Sequence, residues 1–175
     1  MRTARNILTA GLRSHVVAFI AIGLLVAACA ADSVATPPIS PGTSSRPREV
    51  NIITKDYSYV PPEVDFVPGE TVLLHVINGG LEVHEVVIGT MAVQDAWESA
   101  EAAAANPPPG PTPVVTVAPV LSGIRIVVQS GQRVDLLWTV PLDPGPILIG
   151  CHIPGHWAKG MQAPIRLVSP GAVQP

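Results

Sequence analysis

Cys151, His156 and Met161 follow one another at five-residue intervals near the C-terminal end of the chain, with Pro154, Gly155 and Gly160 between them. A thiolate, an imidazole and a thioether on one short loop make two soft sulfur donors and one nitrogen donor. That combination suits copper, which alternates between a sulfur-preferring Cu(I) and a nitrogen-preferring Cu(II). An electron-transferring mononuclear copper site needs one Cys, two His and a long, weak axial Met. The loop supplies three of these, and His84, far upstream, is the candidate for the fourth. Without a metal, the same residues would be a buried free Cys, a surface His and a core Met.

A site of this kind needs a rigid scaffold, and the sequence reads as β. Val50, Ile52 and Thr54 alternate with Asn51, Ile53 and Lys55. Val64 and Phe66 follow Pro61-Pro62, and Pro68-Gly69 makes a turn. Val72, Leu74 and Val76 mark one face of the next strand, with Thr71, Leu73, His75 and Ile77 on the other, until Asn78-Gly79-Gly80 breaks it. Further strands are expected at 84–88, 123–129 and 133–140, the last placing Val134, Leu136, Trp138 and Val140 toward the core. An apolar run at 146–151 leads into the Cys151 loop, and 164–168 closes the chain. Seven or so short strands with Gly and Pro turns indicate an all-β sandwich.

One stretch departs from this pattern, a helical and Pro-rich insertion at about 90–119. Val93, Ala96, Trp97, Ala100 and Ala104 recur at helical spacing, with Asp95, Glu98 and Glu101 opposite. Thr90 can serve as the N-cap and Pro107 prevents continuation. The helix is expected to pack on the sandwich through Trp97. It either covers a sheet face, shields the metal or offers a docking surface.

Residues 1–28 have the build of a secretory signal, with Arg2, Arg5 and Arg13 ahead of an apolar run from Val16 to Ala28. That run is short for a membrane span. It ends Leu25-Val26-Ala27-Ala28-Cys29, which resembles a bacterial lipoprotein cleavage box, so Cys29 is the expected lipidated N-terminus; an uncleaved anchor with an incidental Cys is the alternative. Cys29 and Cys151 therefore need not form a disulfide. Residues 29–48, rich in Pro, Ser, Thr and Ala, read as a flexible tether, and about 49–170 is one domain. Without the three signal arginines, seven Lys and Arg face thirteen Asp and Glu, a net charge of about −6. No basic run is present, which argues against nucleic acid as a partner.

Tyr59-x-x-Pro62, Pro68-Gly69-Glu70-Thr71-Val72, Asn78-Gly79-Gly80, His84-Glu85 and Cys151-x4-His156-x4-Met161 together resemble a cupredoxin, a type 1 blue copper protein of the plastocyanin, azurin and sulfocyanin kind. The likeness covers most of 49–168 apart from the insertion. It implies a Greek-key sandwich with one type 1 copper ion at one end, held by His84, Cys151, His156 and Met161. It also implies that His156 sits nearer the surface than His84, beside a small apolar docking patch of Pro154, Gly155 and Trp157. Glu85 departs from the family, many of whose members carry an Asn whose amide braces the cysteine loop.

Three further histidines are set aside. His15 lies in the signal, His75 is expected to be a solvated residue on the outward strand face, and His152 a surface residue. Multicopper oxidases carry a similar Cys-His loop, but they need further His pairs, and this chain has none. A binuclear copper centre needs a second Cys where Gly155 stands. The leading expectation is a membrane-tethered, single-copper electron carrier without catalysis of its own. It would act in the bacterial cell envelope, facing the periplasm or the exterior, and exchange electrons by transient contact with redox proteins such as an oxidase or a cytochrome. The alternative is an extracytoplasmic protein for copper delivery or storage.

Overall fold

A computed structural model describes residues 37–105 and 115–173. The signal segment 1–28, Cys29 and much of the Pro-rich loop lie outside these residues. Among the described residues, nine strands form two mixed sheets: β1 (Arg48–Lys55), β2 (Ser58–Val60), β3 (Val64–Phe66), β4 (Thr71–Asn78), β5 (His84–Gly89), β6 (Ile124–Val128), β7 (Arg133–Thr139), β8 (Leu148–Gly150) and β9 (Gln162–Leu167). Their orders are β2-β1-β4-β7 and β3-β9-β8-β5-β6. The expected β-sandwich is present, and β2 is an addition to the strands read from the sequence. Among the described residues, no helix is long and apolar enough to cross a membrane.

The period-2 pattern of β1 and β4 decides which side chains meet between the sheets. Val50, Ile52 and Thr54 point inward from β1, and Val72, Leu74 and Val76 from β4, all buried. They meet Val86, Ile88, Val128, Ile149, Ala163 and Ile165 from the second sheet. Each large aliphatic side chain fully buried here contributes about 1.5–3 kcal/mol. The inward residues of β7 lie at a sheet edge and are only half-buried, Trp138 meeting Phe66 edge-on at 5.2 Å.

The second sheet has a different problem. β5 is buried on all six residues, so both of its faces are covered. The outer cover is α1 (Met91–Ala105), which follows β5 directly and seats Val93 and Trp97 on Val87. The packing through Trp97 is as expected, but the buried side of α1 also includes Gln94 and Glu101. Glu101, expected on the polar face, turns inward because Arg125 of β6 reaches it at 2.7 Å.

The described part of the expected tether is not free. Ile39 is buried, its N–H donates to Ala172 at 2.8 Å, and its carbonyl accepts from Gly171 at 2.9 Å. Gly42 accepts from the Thr71 N–H at 3.0 Å. Residues 38–42 are thus tied to the sandwich by backbone hydrogen bonds.

Candidate metal centre

Three strand ends and one loop build the site. β1 ends at Lys55, so Asp56 and Tyr57 stand at the same pole as the start of β5. Asn78 donates from its side chain to the Glu82 carbonyl at 2.7 Å and the Val128 carbonyl at 2.9 Å, and accepts from the Gly80 N–H at 2.8 Å. These bonds fold residues 79–83 into a fixed loop. The Asp56 carboxylate secures the same loop by accepting from the Leu81 N–H at 3.0 Å. His84 then enters β5 fully buried.

The His84 Nε2–H donates to Asp56 at 2.8 Å, which leaves Nδ1 to point inward. That Nδ1 is buried without a hydrogen-bond partner among the described residues. A buried polar atom without a partner is costly, and it marks a place where something else should bind. The backbone and His84 bonds together hold Asp56 down to about 2, so it is a carboxylate at neutral pH.

Cys151 lies just beyond β8. Its N–H donates to the Met161 carbonyl at 3.2 Å, which returns the far end of the loop to its start. His156 accepts from the Met161 N–H at 3.1 Å and donates to the Ile153 carbonyl at 2.9 Å. Gly155 and Gly160 take φ of 86° and 85°, a conformation costly for other residues, and these turns make the loop compact. Met161 is fully buried within it.

One ligand-type atom each from His84, Cys151 and His156 lies within 4.8 Å of the others, in a buried cluster. His156 Nδ1 is 3.4 Å from the Cys151 Sγ. The Nε2 of His156 faces Glu82 at 3.0 Å, so each imidazole has a carboxylate behind it and its Nδ1 toward the cluster. Such carboxylate–histidine pairs fix ring orientation and raise ligand basicity. Burial lowers the His156 pKa, favouring the neutral ring with a free lone pair. Burial pushes the Cys151 thiol up to about 12, so without a cation it keeps its proton at neutral pH.

His156 is 2% exposed and His84 0%, so the order is the expected one and both rings are buried. Tyr57 lies edge-on to His156 at 4.9 Å and donates to Glu82 at 2.7 Å, while the Lys159 ammonium sits 3.5 Å from the Tyr57 ring centre. Tyr57 and Glu82 together pack against the His156 ring. Pro154 and Gly155 are exposed and Trp157 half-buried, as a small patch requires.

His75 is 4% exposed rather than solvated. It remains on the outward face of its sheet, where Asp135 at 2.9 Å and Arg133 at 2.6 Å cover it. His152 is fully buried, not a surface residue. It does point away from the His84, Cys151 and His156 cluster, but into the space beneath α1, where Gln94 and Glu98 meet its ring.

Glu85 resolves into two roles. Its backbone N–H donates to the Cys151 Sγ at 3.3 Å and its carbonyl accepts from the Tyr59 hydroxyl at 2.6 Å. The contact with the sulfur thus comes from backbone and does not depend on an Asn side chain. The Glu85 side chain turns away, fully buried, to pair with Arg125, which also holds Glu101 and lies 4.5 Å over the Trp97 ring. Burial and the Glu85 charge raise the Glu101 pKa. Arg125→Met would leave two neighbouring carboxylates with no cation, at an expected cost of about 3 kcal/mol in chemical denaturation. A change below about 0.5 kcal/mol would show that the three groups do not form one unit.

Asp56, Tyr57 and Glu82 were not found in the sequence. Nothing in their spacing distinguishes them from solvated turn residues, and only the fold brings them behind the imidazoles.

No protein-family model matches the chain, and no curated protein sequence does. Solved structures do. The dithionite-reduced auracyanin of the photosynthetic bacterium Roseiflexus castenholzii aligns at 21% identity over 73% of this chain and 99% of its own, with a TM-score of 0.51. Auracyanin B aligns at 17% identity over 77% and 96%, with a TM-score of 0.53. Auracyanin A, described as a "blue" copper protein of the green thermophilic photosynthetic bacterium Chloroflexus aurantiacus, aligns at 21% over 70% and 99%, with a TM-score of 0.50. The chain has the cupredoxin β-sandwich of these proteins.

Proposed function

We propose that this protein is a single-copper electron carrier, in which His84, Cys151 and His156 would hold the copper ion and Met161 would be a further, weaker ligand. One observation carries the reading: an unpartnered buried Nδ1, a buried thiol and a second inward Nδ1 converge within one coordination sphere. One soft sulfur and two imidazoles are the donors a type 1 copper site requires. A copper ion held there would supply one-electron cycling between Cu(II) and Cu(I).

The residues around the ligands favour electron transfer over delivery. Asp56 and Glu82 fix the two imidazoles, and the Glu85 N–H fixes the sulfur, each by a contact that exists without the metal. Ligands already held in place move little between oxidation states, which keeps the reorganisation energy small. Delivery asks for the opposite, exposed donors that exchange readily, whereas all four residues here are buried.

Electrons would leave through the end that bears Pro154, Gly155 and Trp157, where a redox partner such as a membrane oxidase or cytochrome makes a transient contact of under about 1,200 Å². Export and a lipid on Cys29 belong to the same proposal. Ile39 is hydrogen-bonded to the domain, so nine residues, 30–38, lie between it and Cys29. Mass spectrometry of the native N-terminus tests the anchor, and an unmodified Cys29 refutes it.

Voltammetry of the copper-loaded protein tests the carrier. A reversible one-electron wave over repeated cycles is the expected result. Release of the metal on each oxidation would favour delivery. Met161→Gln should keep the copper and lower the potential, since a harder oxygen donor favours Cu(II). Complete loss of copper from a folded Met161→Gln variant would contradict the axial assignment.

A further inference from the structure

The residue after Cys151 is held more tightly than any role described so far requires. His152 is fully buried, and α1 meets both of its ring nitrogens. Nε2 lies 2.7 Å from Gln94 Oε1, and Nδ1 lies 3.0 Å from Glu98 Oε2. Gln94 and Glu98 are four apart, so they lie on one face of the helix. The Trp157 ring stacks on the imidazole at 4.9 Å and 29°.

Gln94 does more than contact the ring. Its amide nitrogen donates to the carbonyls of Val87 at 3.2 Å, Gly89 at 3.3 Å and Leu148 at 3.1 Å. A single fully buried side chain therefore ties the end of β5, the start of β8 and the metal-binding loop together. The residue before Cys151 fits closely into the same arrangement. A Cβ on Gly150 would run into Gln94 Oε1 and stand 2.8 Å from the Trp157 ring and 3.0 Å from His152 Nε2. Both neighbours of Cys151 are thus fixed from the side opposite the ligand cluster.

We infer that α1 is a brace for the metal site: Gln94 and Glu98, acting through His152, are positioning residues that set the direction of the Cys151 Sγ. The backbone at 150–152 determines where that sulfur points, and a helix outside the ligand set holds this backbone on a sheet that would otherwise end in an open loop. The helix is then more than a cover for the sheet. The existence of the brace is independent of any metal, whereas its effect on copper rests on the copper-carrier reading.

Glu98→Ala is the deciding variant, because a carboxylate 39% exposed can be removed without opening the core. In the metal-free full chain, amide hydrogen exchange at residues 151–157 should speed up about tenfold, as expected for losing one hydrogen bond to a charged group. Exchange in β1 and β4 should stay the same. Glu98→Gln keeps an acceptor oxygen and should restore most of the protection. With Cu(II) added, Glu98→Ala should alter the relative intensities of the thiolate-to-copper bands and the copper hyperfine splitting, and Glu98→Gln should return them toward the original values. Unchanged loop exchange in a folded Glu98→Ala variant, or equal acceleration across both sheets, overturns the brace. A loosened loop with an unaltered spectrum overturns its influence on the sulfur. Absence of any thiolate band in the unaltered chain sinks the copper reading instead, and the exchange result still decides the brace.

Discussion

Cys151→Ser should abolish the visible colour of the copper-loaded protein and most of its copper affinity while the fold persists. A thiolate is the only anionic donor in the cluster, and a neutral hydroxyl cannot replace it on copper. The buried thiol, with its pKa pushed up to about 12, also predicts a coupled effect. At neutral pH the free protein keeps this proton, and a coordinating thiol loses it, so binding Cu(II) should release about one proton from Cys151. Metal uptake should therefore strengthen as pH rises toward that pKa, about tenfold per unit where no other group titrates. In weakly buffered solution, the unaltered protein should acidify its medium on adding Cu(II), and Cys151→Ser should not. Equal proton release by both proteins would show that the thiol is not a ligand.

His84→Ala should be nearly as damaging, although the residue is remote in sequence from the Cys151 loop. It removes the unpartnered Nδ1 and also leaves Asp56, whose carboxylate faced the imidazole, without that contact. Loss of a partner behind a metal-bound histidine typically costs 10–100-fold in affinity, and loss of the histidine itself should cost at least about 100-fold. Competition with a chelator of known affinity measures the loss. A His84→Ala variant with unchanged copper affinity and spectrum would require a different second imidazole, and none is in the cluster.

The sequence was most legible where one physical rule acts alone. β1 and β4 alternate because one side of their sheet faces the other sheet, so Val50, Ile52, Leu74 and Val76 could be assigned inward at once. The candidate ligands were readable for a similar reason, since a Cys, a His and a Met at fixed short spacing must share a loop whatever the rest of the chain does. β2 was missed because three residues before Pro61 give no period to detect. The cluster of His84 with the loop depended on the fold as a whole, and there the resemblance to cupredoxins supplied what spacing could not.

His75 and His152 mark the limit of that reasoning. Period-2 patterning tells which face of a sheet a residue occupies but not what covers the face. His75 is outward and still buried, under Asp135 and Arg133. His152 faces away from the ligands and is buried because α1 lies over that side. The same helix reverses the reading of Gln94 and Glu101, whose polarity is matched by carbonyls, His152 and Arg125 inside the protein. Polar residues on a helix face indicate solvent only when no buried partner awaits them.

The most direct test of the copper site is a Cu(II) titration of the metal-free protein followed by visible absorption. An intense thiolate-to-copper band that saturates at one equivalent, bleaches on reduction and returns on oxidation is the predicted result. Binding with no such band, or a band that saturates at more than one copper per chain, would contradict the claim that His84, Cys151 and His156 form one type 1 site.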